Sequence, residues 1–156
     1  MSTEMITRKL TGKRKIYVAS SWRNLAQPGV VAALRSIGHE VYDFKNPTEG
    51  DNGFHWSEID GGWKQWDAAR YIAALDHPIA ESGYKKDFDA MEWADTFVLV
   101  QPCGRSAHLE MGWACGAGKD TVMMLGPDIE PELMVKMCDH ICNGLGEVLE
   151  LFEAFN

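Results

Sequence analysis

Four short runs of apolar, β-branched residues punctuate the chain: Ile16–Ala19, His39–Phe44, Thr96–Val100 and Thr121–Leu125. Each is too short for a helix and too continuous for a strand with one wet face. Each therefore predicts a strand buried in a parallel sheet. Ile141 marks a candidate fifth strand. Between the runs the apolar spacing lengthens to that of a helix. Pro28–Ile37 sets Val30, Val31, Leu34 and Ile37 on one face, with Gly38 as the stop. Glu58–Leu75, Glu81–Ala94, His108–Ala117 and Glu147–Phe155 predict four further helices. Strand and helix in alternation predict an α/β fold, an open parallel sheet of four to five strands with helices on both faces.

One stretch departs from this pattern. Asn46–Gly62 (NPTEGDNGFHWSEIDGG) is rich in Gly, Asp and Asn yet carries Phe54 and Trp56. It follows the second strand, and ligands in open α/β sheets bind beyond the carboxyl ends of strands. It reads either as a lid or pocket wall, or as an insert that packs its own aromatics as a small core.

Composition narrows the classes. The chain has 156 residues, 46% hydrophobic and 24% charged, which suits one domain. Residues 1–14, with Arg8, Lys9, Lys13 and Arg14, read as a flexible basic arm ahead of a single domain over 15–156. With 23 acidic against 15 basic side chains the net charge is −8, which argues against binding a nucleic-acid polymer or an anionic membrane. A small anion needs only a local positive pocket. No apolar run is long enough for a membrane span and the start has no apolar leader region, so a cytoplasmic protein is expected. Cys103, Cys115, Cys138 and Cys142 include no C-x-x-C pair, and Cys138 and Cys142, one helical turn apart, lack a second pair of metal ligands. Reduced structural thiols, with no metal and no cofactor, are expected.

The segment Gly112–Lys119 resembles a phosphate loop but fails it: Trp113 stands where Gly is required, and Asp120 where Ser or Thr is. There is no G-x-G-x-x-G either. Candidate chemistry lies just upstream, where the third strand runs into Gln101-Pro-Cys-Gly-Arg-Ser-Ala107 and a helix expected to begin near His108. Gly104, Ser106 and Ala107 let a ligand approach the backbone, and Arg105, Ser106 and the helix-start N–H groups form an anion site. Glu110, read in the first turn, is favoured in its ionised form there and is a candidate nucleophile; a Glu placed for helix stability is the plainer alternative. After the first strand, with its Tyr17, come Ser20-Ser-Trp-Arg-Asn24. Ser and Asn suit helix caps, whereas Ser21 and Arg23 suit a phosphate. A strand order 2-1-3-4-5 sets the two loops at one crevice.

Three pieces, Ile16-Tyr-Val-Ala-Ser-Ser-Trp-Arg23, Asp87 followed by Ala94-Asp95, and Glu110-Met-Gly-Trp-Ala114, resemble the nucleoside 2-deoxyribosyltransferase family, which includes the 2'-deoxynucleoside 5'-monophosphate N-glycosidases. The resemblance spans roughly residues 15 to 125. It implies a flavodoxin-like, Rossmann-like sheet and a nucleotide or nucleoside substrate. Glu110 would attack the anomeric carbon, Tyr17 would position that carboxylate, and Asp87 would sit near the sugar or departing base, with Asp89 as competitor. Ser21 and Arg23 stand where the nucleotide-cleaving branch holds a 5'-phosphate, with Arg105 and Ser106 as further contacts. Trp22 and Trp56 are candidates to stack on the base. The transferases usually carry an Asp six residues before the Glu; Gly104 stands there, which leans the reading toward a phosphorylated substrate. His108 is unassigned. The family also implies a homodimer or larger assembly. Rival readings are a nucleotide sensor without turnover and an NAD-type glycohydrolase.

Overall fold

The structure, a computed structural model, describes residues 10–155. Its strands are β1 (Lys15–Ala19), β2 (Glu40–Asp43), β3 (Thr96–Val100), β4 (Asp120–Leu125) and β5 (His140–Asn143). Its helices are α1 (Gln27–Ser36), α2 (Ala68–Leu75), α3 (Pro78–Trp93), α4 (Arg105–Gly116) and α5 (Leu145–Leu151). The sheet runs β2-β1-β3-β4-β5, as the crevice argument required, and the fifth strand forms around Ile141. The β1–β3, β3–β4 and β4–β5 pairs are parallel, with Tyr17, Phe97 and Thr121 level across the middle.

Alternation along each strand sorts the core into two faces. Ile16, Val18, Val98, Val100, Val122, Met124 and Cys142 pack with Val30, Val31 and Leu34 of α1 and Val148 of α5. On the other face α4 lies over β1, β3 and β4, with Ala107, Met111 and Ala114 buried. Helices thus cover both faces, as expected. Lys119 explains the false phosphate loop: its ammonium donates to the Ala94 carbonyl at 2.7 Å, and Gly118, at φ +77°, turns the end of α4 into β4.

Four segments depart from expectation. Residues 1–9 of the expected arm lie outside the described residues, but 10–14 belong to the fold. Leu10 is buried and bridges Phe152, and Arg14 pairs with Asp120 at 2.5 Å. The expected helix Glu58–Leu75 is broken into 3-10 turns at Trp56–Glu58 and Trp63–Gln65 and the short α2. Asp60 causes the break by accepting from Gly62 N–H and Trp66 Nε1–H, after which Asp67 caps the new helix through Arg70 N–H. The last helix stops at Leu151, because the residues after it are taken by the turn from α1 to β2: Phe155 N–H donates to the Ile37 carbonyl, and buried His39 reaches the Glu153 carbonyl at 2.7 Å. Cys138 and Cys142 do not share a helix: Cys138 follows a 3-10 turn and Cys142 lies buried in β5.

The chain groups into two compact units. One comprises residues up to Tyr42 and from Ala94 on; the other is Asp43–Trp93. The second unit gathers several aromatic rings into a half-exposed cluster. Trp56 meets Phe54, Trp66 and Tyr71 edge to face, with centroids 4.8, 5.6 and 5.8 Å away. Phe54 and Trp56 of Asn46–Gly62 are part of this half-exposed cluster.

Candidate functional site

In the first unit the carboxyl ends of β1 and β3 are adjacent, and their loops are bonded together. Ser20 Oγ donates to the Val100 carbonyl at 2.8 Å. Asn24, buried between the loops, donates from Nδ2 to Pro102 O at 2.9 Å and Val100 O at 3.3 Å. Its Oδ1 accepts from Ala26 and Gln27 N–H at 2.8 and 2.9 Å. A residue read from sequence as a helix cap clamps the two candidate loops, while the N-cap of α1 is Ala26. No sequence signal distinguishes the two roles, because the carbonyls it meets lie 76 and 78 residues away.

Ser21, Trp22 and Arg23 occupy the first of these loops, Ser21 half-buried and the other two exposed. Gly104, Arg105 and Ser106 occupy the second. Here α4 begins at Arg105, three residues earlier than expected, with extended Gly104 at its N-cap. Gly104 has no side chain to cap the helix, so the first-turn amides lie beside Arg105 and Ser106, which are exposed. The earlier start moves Glu110 beyond the first turn, which contains no acidic residue. The helix dipole therefore contributes little at Glu110, since that field fades within a turn.

Helical spacing places Glu110 one turn before Trp113 on the same side of α4. Trp113 reaches Phe97, with centroids 6.1 Å apart. Phe97 stacks on Tyr17 at 5.0 Å, and Tyr17 on Tyr42 at 5.2 Å. Tyr17 is fully buried and held between two rings, so its hydroxyl has one fixed position. Glu110 is half-buried, and its charge acts on Cys103 in the β3–α4 loop. Burial first, and that charge second, push the Cys103 thiol up to about 11. Cys103 is therefore a protonated thiol at neutral pH, unsuited to nucleophilic work. His108 is bound into the loop: with Nδ1–H donated to Gly104 O at 3.0 Å, Nε2 faces the Gln101 amide at 3.4 Å.

The other face of α4 borders a cavity of about 800 Å³ that the sequence did not announce. Cys103, His108, Met111 and Cys115 line it with Met134 and Cys138 from the segment after β4. Burial, then the neighbouring Cys115, pushes the Cys138 thiol up to about 12. Among the described residues no three His, Cys, Asp or Glu side chains converge as metal ligands.

The remaining candidates lie in the second unit. Asp87, half-buried on α3, lines two hollows of about 290 and 860 Å³ beside Phe54 and Gly83. Its competitor Asp89 is exposed and paired with Lys85 at 2.5 Å. Trp56 belongs to the aromatic cluster described above.

No protein-family model matches the chain, and no curated protein matches it by sequence. Solved structures do match. The fold is similar to that of a 2-deoxyribosyltransferase from the psychrotolerant bacterium Bacillus psychrosaccharolyticus, characterised as a biocatalyst for the synthesis of antiviral and antitumoral nucleosides. The two share 15% identity with a TM-score of 0.57, over 90% of this chain and 98% of that one. At that identity the likeness establishes a common α/β fold along nearly the whole of both chains.

Proposed function

We propose that this protein cleaves the N-glycosidic bond of a 2'-deoxynucleotide or deoxynucleoside. The observation that carries the reading is the junction of the β1–α1 and β3–α4 loops at the carboxyl edge of the sheet, with Glu110 on the helix leaving it. The likeness to a deoxyribosyltransferase fold and the three sequence motifs support the same chemistry.

Glycosidic cleavage passes through an oxocarbenium-like state that a carboxylate stabilises and traps. In the proposed sequence a Glu110 oxygen bonds to the anomeric carbon as the carbon–nitrogen bond breaks, and the base leaves with the electron pair. The departing base takes up a proton from solvent as it leaves. Water, or a second base, then attacks the same carbon and displaces the Glu110 carboxylate, with net retention. Tyr17, rigid between its neighbouring rings, is assigned the positioning of Glu110. Arg23, Ser21 and the α4 start with Arg105 and Ser106 are assigned the 5'-phosphate, which favours the nucleotide hydrolase over the transferase.

The test is a panel of deoxynucleosides, their 5'-monophosphates and NAD, each with and without a free acceptor base. Released base from a monophosphate supports the hydrolase, and exchange without net release supports the transferase. Turnover of NAD alone would move the reading to a different glycosidic bond. Absence of turnover across the panel would leave a binding module.

A further inference from the structure

The second unit holds a pocket that the proposed reaction does not use. It is an open hollow of about 260 Å³ lined by Trp56, Trp63, Trp66, Asp67, Ala68 and Tyr71. Four of these six residues are aromatic, one is a carboxylate and none is basic. Trp66 and Tyr71 each stand nearly perpendicular to Trp56, at 78° and 71°, so the rings form the walls of a box rather than a stack. The site is built, not incidental. Asp60 anchors Trp66 through its indole N–H at 2.8 Å, and Asp67 is fixed by capping α2. Burial does not require the rings to gather so: Trp63 is 37% and Tyr71 49% exposed.

Aromatic faces carry negative quadrupole density and attract cations, most strongly those that shed water easily. Two side chains of this unit already respond to that field. The Lys64 ammonium lies 5.5 Å from the Trp63 ring centre, and the Arg70 guanidinium 4.9 Å from that of Trp66. Neither lines the pocket. We propose that this aromatic box is a binding site for an alkylated ammonium group, with Trp56, Trp63, Trp66 and Tyr71 around the cation and the Asp67 carboxylate balancing its charge. A methylated ammonium fits because its methyl groups meet the rings while its diffuse charge costs little to dehydrate.

The test titrates the full chain at constant ionic strength with choline and with 3,3-dimethylbutan-1-ol, in which carbon replaces the charged nitrogen. Tryptophan fluorescence and indole N–H resonances report binding. Choline is expected to give a saturable response, with the neutral alcohol about three- to fivefold weaker or worse. Trp63→Leu, at an exposed ring, is expected to weaken choline by a similar factor with an unchanged circular-dichroism spectrum. Asp67→Asn keeps the helix cap, removes the charge and is expected to weaken choline as well. Equal binding of choline and the alcohol, no saturable choline response, or full affinity in Trp63→Leu would each overturn the proposal.

Discussion

Asn24 places four short hydrogen bonds on backbone groups from one buried side chain, two to each loop of the candidate site. Asn24→Leu keeps the branched shape and strands those carbonyls and amides without partners. A loss of about 1–3 kcal/mol is expected, read as a lower urea midpoint with an unchanged slope. Arg23 has a different task and a different signature. It is exposed, so Arg23→Ala is expected to leave the urea midpoint in place. Its effect belongs on substrate: a rise in KM of about tenfold or more for a deoxynucleoside 5'-monophosphate, with the unphosphorylated nucleoside unchanged. An equal effect on both substrates would remove the phosphate assignment. Glu110 shows the limit of reading at this scale. Its identity and motif were legible, but its place relative to the helix start was not, because Gly104 ends the loop three residues before the expected boundary.

At the level of elements, strands were more legible than helices for a physical reason. A parallel strand buried on both faces must be apolar throughout, so Phe97-Val-Leu-Val100 and Val122-Met-Met124 announce themselves and even the weak fifth strand forms at Ile141. Helix ends depend on side chains that fold back on the backbone. Asp60 and Asp67 rewrite the run Glu58–Leu75 into two turns and a short helix, a choice that periodicity does not contain. The α4 cavity was illegible because its wall comes from the 3-10 turn Leu133–Met137, whose apolar residues show neither helical nor strand period. Packing between strand ends is likewise invisible until the sheet is assembled. A Cβ on Gly126, just past β4, would lie 2.8 Å from the Gln101 carbonyl oxygen at the end of β3. That oxygen is backbone and yields poorly, so Gly126→Ala is expected to cost about 1–3 kcal/mol, measurable as a lower melting temperature.

Over the whole molecule, the sequence was right about the sheet, and the chain groups into two compact units. The Trp-rich insert does not look like a cluster in sequence because its apolar residues are few and widely spaced; they work by size, each ring covering more area than an aliphatic side chain. The aromatic unit has an acid-sensitive point at Asp60. The Trp66 indole N–H first, then the Gly62 N–H and the Arg70 charge, hold its carboxyl below the usual value of 3.8. A carboxyl with a depressed folded value stabilises the fold fully above its unfolded value and loses that contribution as the pH falls through the folded one. Stability should therefore drop below about pH 4. In Asp60→Ala the dependence on pH in that window should be shallower, as followed by tryptophan fluorescence against urea. An unchanged dependence would show that other carboxylates govern acid unfolding.

The net charge of −8 belongs to this scale as well: it weighs against extended polyanions, whereas the proposed reaction asks for only one phosphate, assigned to Arg23, Arg105 and the start of α4. The central claim is chemical and rests on one carboxylate. The most direct measurement is release of free base from a deoxynucleoside 5'-monophosphate by the wild-type protein and by Glu110→Ala, at equal concentration and with both shown folded by circular dichroism. The account predicts release by the wild type and a loss of about a thousandfold or more in Glu110→Ala. Base release that persists undiminished in Glu110→Ala would contradict it.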